Sequence, residues 1–204
     1  MMVDTARTQP TRQQLLEAKG SYTTVRGVRP EVVRVIAEGD FVAVHGRLEH
    51  PDAAVIDINR FDRDGKVVEH WDVVQAAAAT PAGTAMMFDG GGDPDAVVSP
   101  AQLAANKAVV ERLYAIERAG DADALGEVIA DDFHPHDPQT PSGLTAAKRR
   151  LRDLGPVDVE VHRMLASGEL VLAHWLARGM VGAEIFRLSD GTIVERWGVT
   201  QPAA

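Results

Sequence analysis

Two ten-residue stretches, Lys66–Gln75 (KVVEHWDVVQ) and Thr192–Gln201 (TIVERWGVTQ), alternate in character with period two. A strand with two unlike faces must read this way. The stretches share Val68/Val194, Glu69/Glu195, Trp71/Trp197, Val73/Val199 and Gln75/Gln201. On the even-numbered face the first carries Val68, His70, Asp72 and Val74, and the second carries Val194, Arg196, Gly198 and Thr200. The scaffold is repeated, but the histidine–aspartate pair is not.

The same periodicity predicts three more strands ahead of each stretch. In the first half they are Glu31–Ala37, Phe41–Leu48 and Ala53–Phe61, separated by turn-formers such as Gly39-Asp40 and Asp62–Gly65. In the second they are Val157–Ala166, Leu170–Ala177 and Val181–Leu188. Short connections imply antiparallel neighbours, so each half reads as a four-stranded meander. Helical signals precede both. Thr11–Gln14 has capping-box spacing and opens a short helix ending near Gly20. Ser99-Pro100-Ala101-Gln102 opens a longer one with Leu103, Val109, Val110, Leu113, Tyr114 and Ile116 on one face, stopping at Gly120. Asp121 is expected to cap a second helix bearing Leu125, Val128 and Ile129; a short extended piece follows at Phe133–Pro138, then a helix near Ser142–Leu154. Between the halves, Ala76–Pro100 is rich in Ala, Gly and Pro and reads as a flexible linker around Gly90–Gly92, with Met86–Phe88 packing on something. Further matches, Val42–His45 with Val171–His174 and Asp57–Arg60 with Glu184–Arg187, mark an internal repeat whose first copy lacks any counterpart of Ser99–Pro138.

Composition narrows the function classes. The chain has 204 residues, 45% hydrophobic and 25% charged, as in ordinary globular proteins. A net charge of -9 argues against a nucleic-acid surface. The absence of cysteine removes disulfides and thiol chemistry. The start has no signal-peptide pattern, and the apolar stretch Val73–Phe88 is broken by Pro81 and Gly83, so no membrane span and a cytoplasmic location are expected. His134-Pro135-His136-Asp137 does not place its side chains on one helix face, and no metal site is expected there.

The order of elements, with VIAEGDFVAVH (Val35–His45), AVIDINRF (Ala54–Phe61), GKVVEHWDVVQ (Gly65–Gln75), TPAGTAMMF (Thr80–Phe88), NKAVVERLY (Asn106–Tyr114), FHPHDP (Phe133–Pro138) and EIFRLSDGTIVERWGVTQP (Glu184–Pro202), resembles the SnoaL-like branch of the nuclear-transport-factor-2-like superfamily, which includes polyketide cyclases. The resemblance implies an α+β fold of two tandem cones. Residues 11–88 would form a truncated copy lacking its N-terminal helices, 89–98 a linker and 99–204 a complete copy. It also implies a cofactor-independent acid–base enzyme of the aldol cyclase or isomerase type, acting on a small ketone or polyketide-like molecule in an apolar pocket. Carried over by position, Asp72 is the candidate acid–base and His70 its partner. His45, Asp57, His136 and Trp71 are the candidate substrate-binding groups. Neither copy holds the whole set.

Two alternatives stand beside this reading. His70 and Asp72 can equally lie on a solvated sheet face, and the fold can serve a non-catalytic ligand-binding or assembly protein. A truncated sheet must also be covered. It can pack against the second copy as an intrachain pseudo-dimer, or receive Leu103–Ile129 of its own or a neighbouring chain in a homodimer, which would bring His136 to Asp72 in one composite pocket. Otherwise the first copy is a remnant.

Overall fold

The computed structural model describes residues 30–50, 52–77, 84–137 and 140–203. The helix expected at Thr11–Gly20 lies outside the described residues. The fold is α+β. Strands β1 (Glu31–Glu38), β2 (Phe41–Glu49), β3 (Asp52–Phe61) and β4 (Val67–Ala76) form an antiparallel meander in that order. Its tight turns follow from local chemistry: Asp62 accepts from the backbone N–H of Asp64 and Lys66, and Gly65 takes the positive φ that closes the β3–β4 turn.

A 20-residue helix, α1 (Pro100–Ala119), comes next. Ser99 accepts from Gln102 N–H at 3.1 Å, Pro100 occupies the first turn, and Gly120 ends it at φ 68°. The second expected helix is reduced to a 3-10 turn, Asp123–Glu127, and Ile129 already enters β5 (Ile129–Pro135). The reason is pairing. β5 runs parallel to β9 (Thr192–Pro202), which takes up backbone groups that a longer helix would have used internally. Helix α2 (Leu144–Leu154) follows, then β6 (Glu160–Ser167), β7 (Leu170–Ala177) and β8 (Met180–Ser189). The second sheet is ordered β5-β9-β8-β7-β6.

This second sheet is buried on both faces, so its strands carry apolar residues at odd and even positions alike. One face packs under α1 and α2, with Val171, Ala173, Phe186 and Ile193 against Val110, Leu113 and Leu151. The other packs on the first sheet, with Leu165, Leu172, Ile185 and Trp197 against Ile36, Ile56, Ile58 and Val73. The layer order is helices, second sheet, first sheet.

The contact between the sheets is reciprocal. Arg34 of the first sheet lies 3.9 Å above the ring of Trp197, and Arg163 of the second lies 3.4 Å above the ring of Trp71. Arg34 bonds His45 Nδ1 at 3.2 Å and Arg163 bonds His174 Nδ1 at 3.2 Å. Gln75 Oε1 accepts from Thr200 N–H and Gln201 Oε1 accepts from Val74 N–H, both at 2.8 Å. In these three contacts the same arginine, histidine, tryptophan and glutamine types recur with the sheets exchanged, as at a two-fold interface.

The glycine-rich segment is packed rather than free. Asp89 O accepts from Arg34 at 2.6 Å and from Trp197 Nε1 at 2.7 Å, and Met87 is buried between the sheets. Gly90, at φ 95°, lies so close to the Glu195–His136 pair that a Cβ would meet Glu195 Oε2 at 2.4 Å. Glycine serves here for close approach as well as for backbone freedom.

Candidate active site

The six residues singled out from sequence divide between the two faces of the first sheet. On the outer face, Asp57 and Asp72 are directly opposed across β3 and β4. His70 Nε2 reaches Asp57 Oδ1 at 2.7 Å, and Asn59 donates to the same oxygen at 3.0 Å. Asp57 is buried with its side chain 1% exposed, whereas His70 is 47% exposed. Burial raises the Asp57 pKa, opposed by His70 and Asn59.

His45, Trp71 and His136 lie on the other side, between the sheets. His45 stacks on Phe88 at 5.7 Å, and burial together with the Arg34 charge lowers its pKa to about 3. Arginine only donates, so His45 Nδ1 is the acceptor of this pair and the ring is neutral. Trp71 packs on Phe41 and Arg163. His136 stacks on Trp197 at 4.6 Å and meets Glu195 Oε2 at 2.7 Å. Burial lowers the His136 pKa, opposed by its bond to Glu195. Burial works to raise the Glu195 pKa, but the bonds from His136 and Arg187 hold it below the ordinary range. His136 and Asp72 therefore do not meet: β4 stands between them, because Asp72 and the inward-facing Trp71 and Val73 alternate along one strand. Within one chain, the composite pocket expected as one possibility is not formed.

A different constellation fills the cone of the second sheet. A cavity of about 170 Å³ lies between α1, α2 and the strands, walled by apolar groups such as Leu125, Phe133, Leu151 and Phe186. Glu117, Tyr114, Trp175, Glu184 and Arg196 also line it. Tyr114 Oη and Trp175 Nε1 both donate to Glu184 Oε2, at 2.9 and 3.0 Å, and Arg196 Nη1 stands 3.4 Å from Glu184 Oε1. Trp175 can cross the sheet because residue 182 is glycine; a Cβ there would meet its ring at 2.2 Å. Burial and the Glu184 charge push the Tyr114 pKa well above its usual value, so the hydroxyl remains a donor. Glu117 has no such donor set. Burial first, then the Glu184 charge, raise its pKa to about 7 against the pull of Arg196. A larger groove of about 380 Å³ along α1 and β6 shares Tyr114 as a wall, but it is open and holds a single carboxylate, Glu111.

The registers relate the two sites. Asp57 faces Asp72 and lies diagonal to His70; Glu184 faces Gly198 and lies diagonal to Arg196. The second sheet thus keeps a diagonal of a carboxylate and a basic side chain where the motif comparison shows only a lost pair. The match of Asp57–Arg60 with Glu184–Arg187 was the sequence signal for Glu184. Glu117 carried a weaker one, a carboxylate one turn beyond Tyr114 on the apolar side of a helix.

Among the described residues, no group of three or more His, Asp or Glu is arranged to hold a metal ion, and no helix is long and apolar enough to cross a membrane.

No curated protein matches the chain. Among solved structures, it is similar to TsrD from Streptomyces laurentii at 13% identity and TM-score 0.44, over 52% of this chain and 92% of the other. It is similar to an M. tuberculosis LEH-like epoxide hydrolase at 18% identity and TM-score 0.42, over 49% and 85%. A protein assigned as a SnoaL-like polyketide cyclase from Jannaschia sp. CCS1 shows 19% identity and TM-score 0.44, over 52% and 90%. The SnoaL-like domain family matches residues 110–196, from the middle of α1 to Arg196 itself. The helix–sheet unit that encloses the Glu117–Glu184 cavity is the part of the chain that matches the SnoaL-like domain family.

Proposed function

We propose that the chain is a cofactor-independent acid–base enzyme acting on a small carbon acid, a ketone with an adjacent C–H, in the cavity of residues 99–204. The observation that carries this reading is the contrast between two carboxylates in one apolar space. Glu184 is engaged by Tyr114, Trp175 and Arg196, while Glu117 titrates near pH 7 beside them. Environments that separate two acids in this way assign their roles.

A proton carrier works best when its pKa lies near the operating pH. The ionised Glu117 takes a proton from the carbon next to the carbonyl, and the C–H electrons move to the carbonyl oxygen as an enolate. The Arg196 guanidinium supplies positive charge for that anion in a site of low polarity. Return of the proton from Glu117 to another carbon of the conjugated system, or to the opposite face, completes an isomerisation; attack of the enolate carbon on a second carbonyl of the same molecule, with Glu117 giving its proton to the new alkoxide oxygen, completes a cyclisation. Glu184 holds Arg196 and Tyr114 in place.

The test is hydrogen–deuterium exchange at the acidic carbon of a simple ketone in D₂O, followed by NMR. Loss of exchange in Glu117→Gln with ketone binding retained supports the reading. An unchanged exchange rate in that variant contradicts it.

A second reading keeps the proton transfer on the first sheet, with Asp72 as acid–base and His70 as its relay. The short His70–Asp57 contact, next to Asp72, favours it. Asp72→Asn would then abolish exchange and Glu117→Gln would not. A binding protein without chemistry would show no exchange in any form.

A further inference from the structure

The size and walls of the second cavity say more about its occupant than the polar groups do. Its volume is about 170 Å³. A cavity of about 150 Å³ accommodates one benzene ring, whereas pockets for drug-sized ligands span roughly 300–1,000 Å³. Apart from the exposed Arg150 and Leu154, the walls have little room to give. Phe186 and Ile193 are fully buried from the sheet side, and Leu125, Phe133 and Leu151 are 3–5% exposed on the other. Interiors packed to this degree do not yield space for a second fused ring without displaced side chains.

The polar groups are placed for one such ring. Tyr114, Trp175 and Glu184 bond one another on the sheet side, so they have no donor to spend on a second polar substituent there. Glu117 and Arg196 remain as the groups that a carbonyl and its acidic carbon would address.

We infer that the substrate class is a single-ring ketone, or an open-chain ketone of equal bulk, with one carbonyl held between Glu117 and Arg196, and that fused polycyclic molecules are excluded. The inference rests on the cavity proposed above as the working site, but it concerns size, which binding alone reports.

The experiment uses the full chain and three methyl ketones that differ only in ring count: acetophenone, acetylnaphthalene and acetylanthracene. Binding is followed by the indole N–H resonance of Trp175, assigned with Trp175→Phe. Acetophenone is expected to move that resonance and to bind about tenfold or more tightly than acetylanthracene, the scale that a misfit in an apolar pocket produces. Phe133→Leu, a mild enlargement of the wall, is expected to narrow the gap for acetylnaphthalene; Leu125→Ala offers a second route should Phe133→Leu unfold. Equal or tighter binding of acetylanthracene at Trp175 overturns the inference, as does a failure of all three to move it. If acetophenone binds and the size order holds but deuterium exchange is absent, the size assignment stands and the acid–base reading falls.

Discussion

The two sheets place a carboxylate and a basic side chain on the same diagonal and then treat them differently. On the first sheet, Asp57 is buried but its partner His70 is 47% exposed. On the second, both Glu184 and Arg196 are mostly out of water, at 13% and 18%. Strand register sets the geometry in both, while α1 and α2 enclose only the second. On the proposed reading, enclosure makes the difference: α1 adds Glu117 to the diagonal, and the low polarity that makes a bare carboxylate costly raises its pKa to about 7. The two sheets share the diagonal, and on that reading only the one under α1 and α2 carries the chemistry.

The sharpest way to break this comparison is to remove the proton carrier on each side. Glu117→Gln is expected to slow deuterium exchange by about 10²–10⁴-fold, the usual worth of a general acid–base group, and Asp72→Asn to leave it unchanged. The reverse pattern, in the same NMR assay, would move the site to the first sheet. Next comes the interface. Trp197 is 1% exposed and sandwiched by Arg34 and His136, so Trp197→Ala is expected to cost about 3–5 kcal/mol in urea unfolding. Trp71→Ala, at the related but half-buried position, is expected to cost about 1–2 kcal/mol. Equal losses would show that the reciprocal contacts carry equal weight despite unequal burial.

Glu117 also links stability to pH. Its folded pKa of about 7 lies above the ordinary 4.5, so between those values the unfolded chain has released a proton that the folded chain retains. Stability contributed by this group is then greatest at and below pH 4.5, falls by on the order of 1–3 kcal/mol as pH rises to 7, and changes little above it. Glu117→Gln should flatten that slope in denaturation curves taken across the interval. The smallest effects test the symmetry itself. Gln75→Ala and Gln201→Ala each remove one inter-sheet acceptor and should cost about 1 kcal/mol apiece, nearly the same.

Much of the fold was legible in the chain. Period-two alternation located the strands of both meanders, and Ser99-Pro100 with Gly120 marked α1. The paired Trp71/Trp197 and Gln75/Gln201 pointed to a repeat, but not that each of these residues grips the opposite sheet. That depends on which face turns inward, and the even face of β4 drew attention because His70 and Asp72 are on it. Gly90–Gly92 read as a linker since composition reports backbone freedom and not what presses on it; here Glu195 and His136 do. The Asp123–Glu127 turn was read as a helix because Leu125, Val128 and Ile129 suit either period, and the parallel pairing that draws Ile129 into β5 is long-range. Glu117 was hidden for the same reason. Its raised pKa comes from burial and then from the charge of Glu184 on β8, neither of which is local in sequence.

The central claim, that the enclosed cone of the second sheet is where a proton is moved, turns on one number. The side-chain carboxyl ¹³C shift of Glu117, followed against pH with Glu117→Gln as the assignment control, measures it without a substrate. The account predicts a midpoint at about 7. A midpoint near the ordinary 4.5 would mean a solvated or ion-paired carboxylate, and would contradict the assignment of Glu117 as the proton carrier.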